Sequence, residues 1–101
     1  MGNNFLADDI VVIGGGVIGL AVANEFLRLG AKVRILERNY CGRESSWAGG
    51  GILSPLLPWD YPDPVTELTQ FSNRLLPSLA ETLRQETGID PEYRACGMLA
   101  L

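Results

Sequence analysis

Histidine is absent from this chain, which removes the commonest metal ligand and general base from all 101 residues. Cysteine is scarce: Cys41 and Cys96 stand far apart, in no metal or redox spacing, and are expected as ordinary reduced thiols. Positive charge is also thin. Eight Lys and Arg against twelve Asp and Glu leave a net charge of −4, which argues against a nucleic-acid surface. No apolar run reaches the ~18 residues that a membrane span requires. The opening Met1 to Asp9 lacks the basic segment and long apolar core of a signal peptide. Gly2 follows Met1 as in a myristoylation motif, but Leu6 occupies the position where that motif wants Ser or Thr. The cytoplasm is the expected compartment. Nothing in the chain speaks to oligomeric state.

What remains is a globular balance, 47 % apolar and 20 % charged, with twelve glycines whose placement matters more than their number. Seven fall in two clusters, at positions 14, 15, 16 and 19 and at 49, 50 and 51. Ile10-Val11-Val12-Ile13 is a continuous β-branched run, the pattern of a parallel strand covered on both faces. Gly14-Gly15-Gly16 breaks it. A helix is expected from about Val17 to Leu29, with Ile18, Ala21, Val22 and Leu29 among its apolar positions and Gly30 as its left-handed stop. Val33 to Leu36 then reads as a second strand. Strand, helix and strand make one βαβ unit with a right-handed crossover.

Gly14, Gly16 and Gly19 satisfy G-x-G-x-x-G at the first strand–helix junction. The first permits the tight turn, the second lets a pyrophosphate approach the backbone, and the third lets helix and sheet pack closely. The helix head would point free N–H groups and about half a positive charge at that pyrophosphate. Glu37 lies 18 residues beyond Gly19, at the end of the second strand, where a carboxylate accepts from ribose hydroxyls and repels a 2′-phosphate. NADP is disfavoured. The pattern alone leaves NAD and FAD open.

The stretch Cys41 to Leu53 combines Ser45 and Ser46 with Gly49, Gly50 and Gly51. Either serine can cap a short helix and donate to a phosphate oxygen, and the glycines would let a planar ring lie against backbone. The same residues also fit a capped turn with a flexible linker.

Val-Val-Ile-Gly-Gly-Gly-Val-Ile-Gly at 11–19, Glu37-Arg38 and the Gly-Arg-x-Ser-Ser-x-Ala-Gly-Gly-Gly-Ile-Leu stretch at 42–53 resemble the D-amino-acid oxidase family of flavoenzymes. The likeness spans nearly the whole chain, with its specific motifs in the first 53 residues. It implies FAD as cofactor. By the same resemblance the backbone of Val17 and Ile18 faces the FAD pyrophosphate, Glu37 holds the adenosine ribose, and Arg38 lies beside the adenine. Ser45 and Ser46 contact the pyrophosphate and its neighbours, and Gly50, Gly51 and Ile52 pass close to the flavin ring. One extra residue near Glu44 makes the serine pair a best alignment. Trp47 stands where relatives carry a small residue or a His that in some attaches the flavin, so the FAD here is expected to be non-covalent.

The second half is less specific. Ser54 to Pro64 holds four prolines in eleven residues and should be an extended loop. Trp59 and Tyr61 within it either wall the flavin or anchor the loop. From Val65 to Thr87, Leu68, Phe71, Leu75, Leu79 and Leu83 mark an amphipathic helix whose stripe is expected to be core. Glu67, Arg74, Glu81, Arg84 and Glu86 would form its solvated face. Pro77 inside it predicts a kink or break, and Gly88 a stop. Tyr93 to Leu101 reads as a strand.

The expected fold class is therefore α/β: a Rossmann-like FAD-binding βαβ unit over 1–54, a Pro-rich loop over 55–64, and over 65–101 a long helix and the first strand of a substrate domain. The chain is expected to be the N-terminal part of a larger enzyme. The resemblance implies oxidative deamination of a small amine or amino acid, with the substrate-gripping residues elsewhere; no catalytic residue is assigned within these 101 residues. A related dehydrogenase using another electron acceptor, and a nucleotide-binding fragment without catalysis, are the alternatives.

Overall fold

Two aspartates and two strands set the frame. In the computed structural model, which describes residues 8–53, 57–99 and 101, β1 (Ile10–Ile13) pairs in parallel with β2 (Val33–Leu36), Ile10 opposite Val33 and Ile13 opposite Leu36. Asp9 Oδ2 accepts from Lys32 N at 2.8 Å, and Asp8 Oδ2 pairs with Arg34 Nε at 2.7 Å. The register is thus pinned where the strands begin. At the other end, Gly14 N donates to Leu36 O at 2.8 Å.

Between the strands runs α1 (Val17–Arg28). It ends as its sequence requires. Gly30, at φ +86°, lets its own N–H reach Leu27 O and the N–H of Ala31 reach Phe26 O, the paired bonds of a Schellman stop. All three elements match the sequence expectation, the helix to within a residue.

Packing differs from that expectation. The helix meets the sheet through a face of small residues: Gly19 is half-buried and Ala23 is 2 % exposed. Ile18, Val22 and Leu29 point outward. The strand run is continuous in sequence but alternates in burial, with Val11 at 52 % and Ile13 at 85 % exposure. One sheet face carries α1; among the described residues nothing buries the other.

The chain divides after Gly51 into two units. The first closes with a single-turn helix, α2 (Ser45–Ala48). In the second, Pro58–Asp60 form a 3-10 turn inside the expected loop, and α3 (Asp63–Thr87) begins on a proline pair, Pro62 as N-cap and Pro64 in the first turn. Residues 54–56, where that loop begins, lie outside the described residues. Pro77 does not break α3, which runs unbroken to Gly88 at φ +73°. The apolar stripe is only partly core: Leu79 and Leu83 are half-buried, whereas Leu68, Phe71 and Leu75 are exposed. The charged face is as expected, with Arg84 paired to Glu81 and Arg74 lying 5.7 Å over the Phe71 ring.

The strand expected from Tyr93 is not formed; residues 89–99 have no regular structure, and Ala100 is not among those described. Left-handed backbone at Glu92 (φ 58°) and Gly97 (φ 68°) interrupts extension, and an extended segment becomes a strand only where a neighbour fills its ladder. No helix of the described residues is long and apolar enough to cross a membrane.

Candidate functional site

The site is built on the turn between β1 and α1. Gly14 leaves the strand at φ +105°, a conformation that only glycine adopts without strain. A Cβ at Gly19 would collide with the Gly14 carbonyl oxygen and approach Val12 Cγ1 at 3.3 Å. The third glycine is therefore obligatory for seating the helix on the strand.

The middle of the turn is held by two long-range contacts. Gly15 donates its N–H to Glu37 Oε1 at 3.0 Å, and its carbonyl accepts from Gly42 N at 2.8 Å. A Cβ here would lie 2.6 Å from Cys41 Sγ and 3.3 Å from Glu37 Cβ. Gly15, unassigned in the sequence reading, thus locks the phosphate-type turn to the acidic residue at the end of β2. The second Glu37 oxygen accepts from Asn39 N at 2.8 Å. Each carboxylate oxygen keeps a further lone pair for a ligand hydroxyl.

At the helix head, Ser46 Oγ accepts from Val17 N at 2.9 Å. The serine expected to cap its own short helix instead caps α1 from across the chain; α2 has no side-chain cap. This modifies the role of Gly16: its missing Cβ makes room first for Ser46 Oγ, which would lie 2.9 Å away. It also takes one of the two backbone donors expected for a pyrophosphate. The first intrahelical bond is Leu20 N to Gly16 O, so Ile18 and Gly19 N–H remain free of intrahelical acceptors. The Ser46 hydroxyl still has its proton to donate.

Two concave surfaces meet at this turn. An apolar groove of about 600 Å³ runs along Val12, Gly14, Gly16, Val17, Ile18 and Ser46. A polar cavity of about 180 Å³ is lined by Gly14, Gly16, Glu37, Arg43, Glu44 and Ser46, with Gly42 and Ser45 completing its wall. The structure therefore brings together Gly14, Gly16, Val17, Ile18, Gly19, Glu37, Ser45 and Ser46. Gly50, Gly51 (φ 78°) and Ile52 are exposed and line neither surface. Trp59 is 72 % exposed and Tyr61 37 %.

Arg38 is fixed by a residue that the sequence reading did not single out. Its Nε donates to Glu44 Oε1 at 2.9 Å and its Nη2 to Glu44 Oε2 at 2.7 Å, a bidentate pair. The hydrogen bond from Arg38 holds the Glu44 carboxyl below the usual glutamate range, and the reciprocal bond raises Arg38. Six residues apart in irregular chain, the two give no periodic signal. Among the described residues no group of His, Cys, Asp and Glu is placed to hold a metal ion.

Residues 9–101 match the family described as FAD dependent oxidoreductase. The chain is 47 % identical over 93 residues to a glycine oxidase of Pseudomonas aeruginosa, covering 92 % of this chain and 26 % of that protein. It is 38 % identical over 92 residues to a bifunctional protein ThiO/ThiG of Trichormus variabilis, covering 91 % and 14 %. The crystal structure of a glycine oxidase from Bacillus cereus superposes with a TM-score of 0.78 at 40 % identity, over 87 % of this chain and 24 % of that one. The chain thus spans about a quarter of the length of the glycine oxidases it matches.

Proposed function

Because the chain belongs to the FAD dependent oxidoreductase family, we propose that it is the FAD-binding head of a glycine oxidase of the ThiO type, serving thiamine biosynthesis in the cytoplasm. The observation that carries this reading is one cavity in which the glycine turn, Ser46 and the pre-oriented Glu37 carboxylate converge. The turn fits a dinucleotide: it is bare of Cβ atoms at Gly14 and Gly16, and the head of α1 supplies positive dipole and donors.

In this reading Ile18 and Gly19 N–H and the Ser45 and Ser46 hydroxyls hold the pyrophosphate. Glu37 takes the ribose hydroxyls with its remaining lone pairs, and Arg38 presents its guanidinium to the adenine side. Gly50, Gly51 and Ile52 are assigned to the flavin side by resemblance. FAD, when bound, supplies the two-electron acceptor for the hydride leaving the substrate Cα. With that acceptor the overall change would take amino acid, water and oxygen to oxo acid, ammonia and hydrogen peroxide. The groups that grip the amino acid are assigned to the remaining three-quarters of the protein.

The test is the full-length protein. It should purify yellow with flavin absorption bands, bleach with glycine under anaerobic conditions, and consume oxygen with equimolar peroxide. Bleaching without peroxide would make it a dehydrogenase instead. A colourless protein that takes up no flavin would overturn the reading.

A further inference from the structure

We propose that Glu44 is a specificity-determining residue, which by clamping Arg38 keeps the ribose end of the site closed to 2′-phosphorylated dinucleotides; this rests on the dinucleotide-binding reading above. The sequence carries a conflict at the end of β2. Glu37 repels a 2′-phosphate, yet the next residue is an arginine. An arginine at this place in a dinucleotide fold is the group that accommodates a 2′-phosphate, because its planar fork matches phosphate oxygens bidentately. Glu37 alone does not decide the outcome, since Arg38 offsets its charge one residue away.

The structure resolves the conflict through a third residue. Glu44 occupies the Nε and Nη2 edge of Arg38 with both carboxylate oxygens, at 2.9 and 2.7 Å. Glu44 also lines the polar cavity beside Glu37 and Arg43. With Glu44 present, Glu37, Arg38, Arg43 and Glu44 sum to zero formal charge, two of each sign. Without it the sum is +1 and the side-on edge of Arg38 is released. A 2′-phosphate carries about −1.5 to −2, so it feels that change roughly twice as strongly as a singly charged group would. The unphosphorylated ribose does not.

The experiment uses the full-length apoprotein and two competitors of bound FAD: ADP and ADP carrying an additional 2′-phosphate. The wild type is expected to prefer ADP. Glu44→Gln, with its fold checked by far-UV circular dichroism, is expected to move the ratio of the two inhibition constants about tenfold toward the 2′-phosphorylated competitor. Glu44→Asp, too short to span both nitrogens, should move it in the same direction. Adding Arg38→Ala to Glu44→Gln should return the ratio to the wild-type side, which a general loosening of the loop would not do. An unchanged ratio in both Glu44 variants, with FAD binding intact, overturns this inference alone. A wild type that binds neither FAD nor ADP overturns the dinucleotide reading and takes this inference with it.

Discussion

Glu37 Oε1 accepts the N–H of Gly15 at 3.0 Å, joining the end of the second strand to the centre of the glycine turn across 22 residues of chain. The carboxylate assigned to the ribose is therefore positioned by the same turn that is assigned to the pyrophosphate. Its other oxygen is held by Asn39 N at 2.8 Å, so no side-chain freedom has to be frozen when a ligand arrives. Glu37→Gln tests this coupling. A glutamine offers one carbonyl oxygen to two backbone donors and turns its amide N–H groups toward the other, leaving one donor unmatched at ~1 kcal/mol or more. Flavin affinity in the full-length protein, read by fluorescence titration of the apoprotein, should fall at least ~tenfold. An unaltered affinity would show that the carboxylate does not face the ligand.

Gly19→Ala should be far more damaging than its single methyl suggests. The new Cβ would meet the Gly14 carbonyl oxygen, a backbone atom that cannot rotate away, so α1 must lift from β1. Overpacking of this kind costs ~1–3 kcal/mol and occasionally more. Gly49→Ala is the matched comparison: its Cβ would find Ser45 O at 3.6 Å, an ordinary contact. Thermal unfolding and bound flavin should both drop for Gly19→Ala and barely change for Gly49→Ala.

These glycines also mark how far the sequence alone reaches. β1, α1 and β2 were legible because a change of hydrophobic period is punctuated by Gly14–Gly16 and Gly30, residues whose backbone freedom the turns require. The pattern could not show which face of the strands α1 covers, since a continuous apolar run carries no alternation to mark it, whereas the structure leaves Val11 and Ile13 exposed. The strand expected after Pro91 was apolar enough, but apolarity does not supply a hydrogen-bonded neighbour. Gly15 hid as the unremarkable middle glycine, and the Arg38–Glu44 pair lies in irregular loop, where no spacing rule places one side chain beside another.

Ser46→Ala should separate the cap of α1 from the fold. The hydroxyl accepts from Val17 N at 2.9 Å, and removal of a capping oxygen costs ~1 kcal/mol. The methyl that remains still fits beside Gly16. A modest fall in melting temperature should accompany a larger loss of flavin affinity, because the same hydroxyl proton is assigned to a phosphate oxygen. Equal effects on both would reduce Ser46 to a cap.

The pH dependence of the Arg38–Glu44 pair has a definite sign. Glu44 is lowered from the usual 4.5 by its hydrogen bond to Arg38, so its contribution is complete above that value and is lost as pH falls through the depressed one. Glu81, lowered by Arg84 and Gln85, behaves alike. Both pairs are exposed, so the gain at neutral pH is small and shrinks with salt. Denaturant unfolding of wild type and Glu44→Gln should differ slightly at pH ~7 and converge as pH falls below the usual glutamate range and through the depressed value. A difference that grows on acidification would contradict the pairing.

Pro77→Ala probes the second unit. Proline has no N–H, so the Asn73 carbonyl loses its partner four residues on, and the ring crowds the same carbonyl. α3 nevertheless continues through Pro77 for ten more residues to Thr87. Ser78 Oγ donates to Leu75 O at 3.1 Å, which satisfies a neighbouring carbonyl but not that of Asn73. Restoring the missing bond should stabilise the helix by up to ~3 kcal/mol, seen as a higher melting temperature and deeper helical circular dichroism in the full-length protein. Destabilisation by Pro77→Ala would mean instead that the helix needs the shape proline imposes on it.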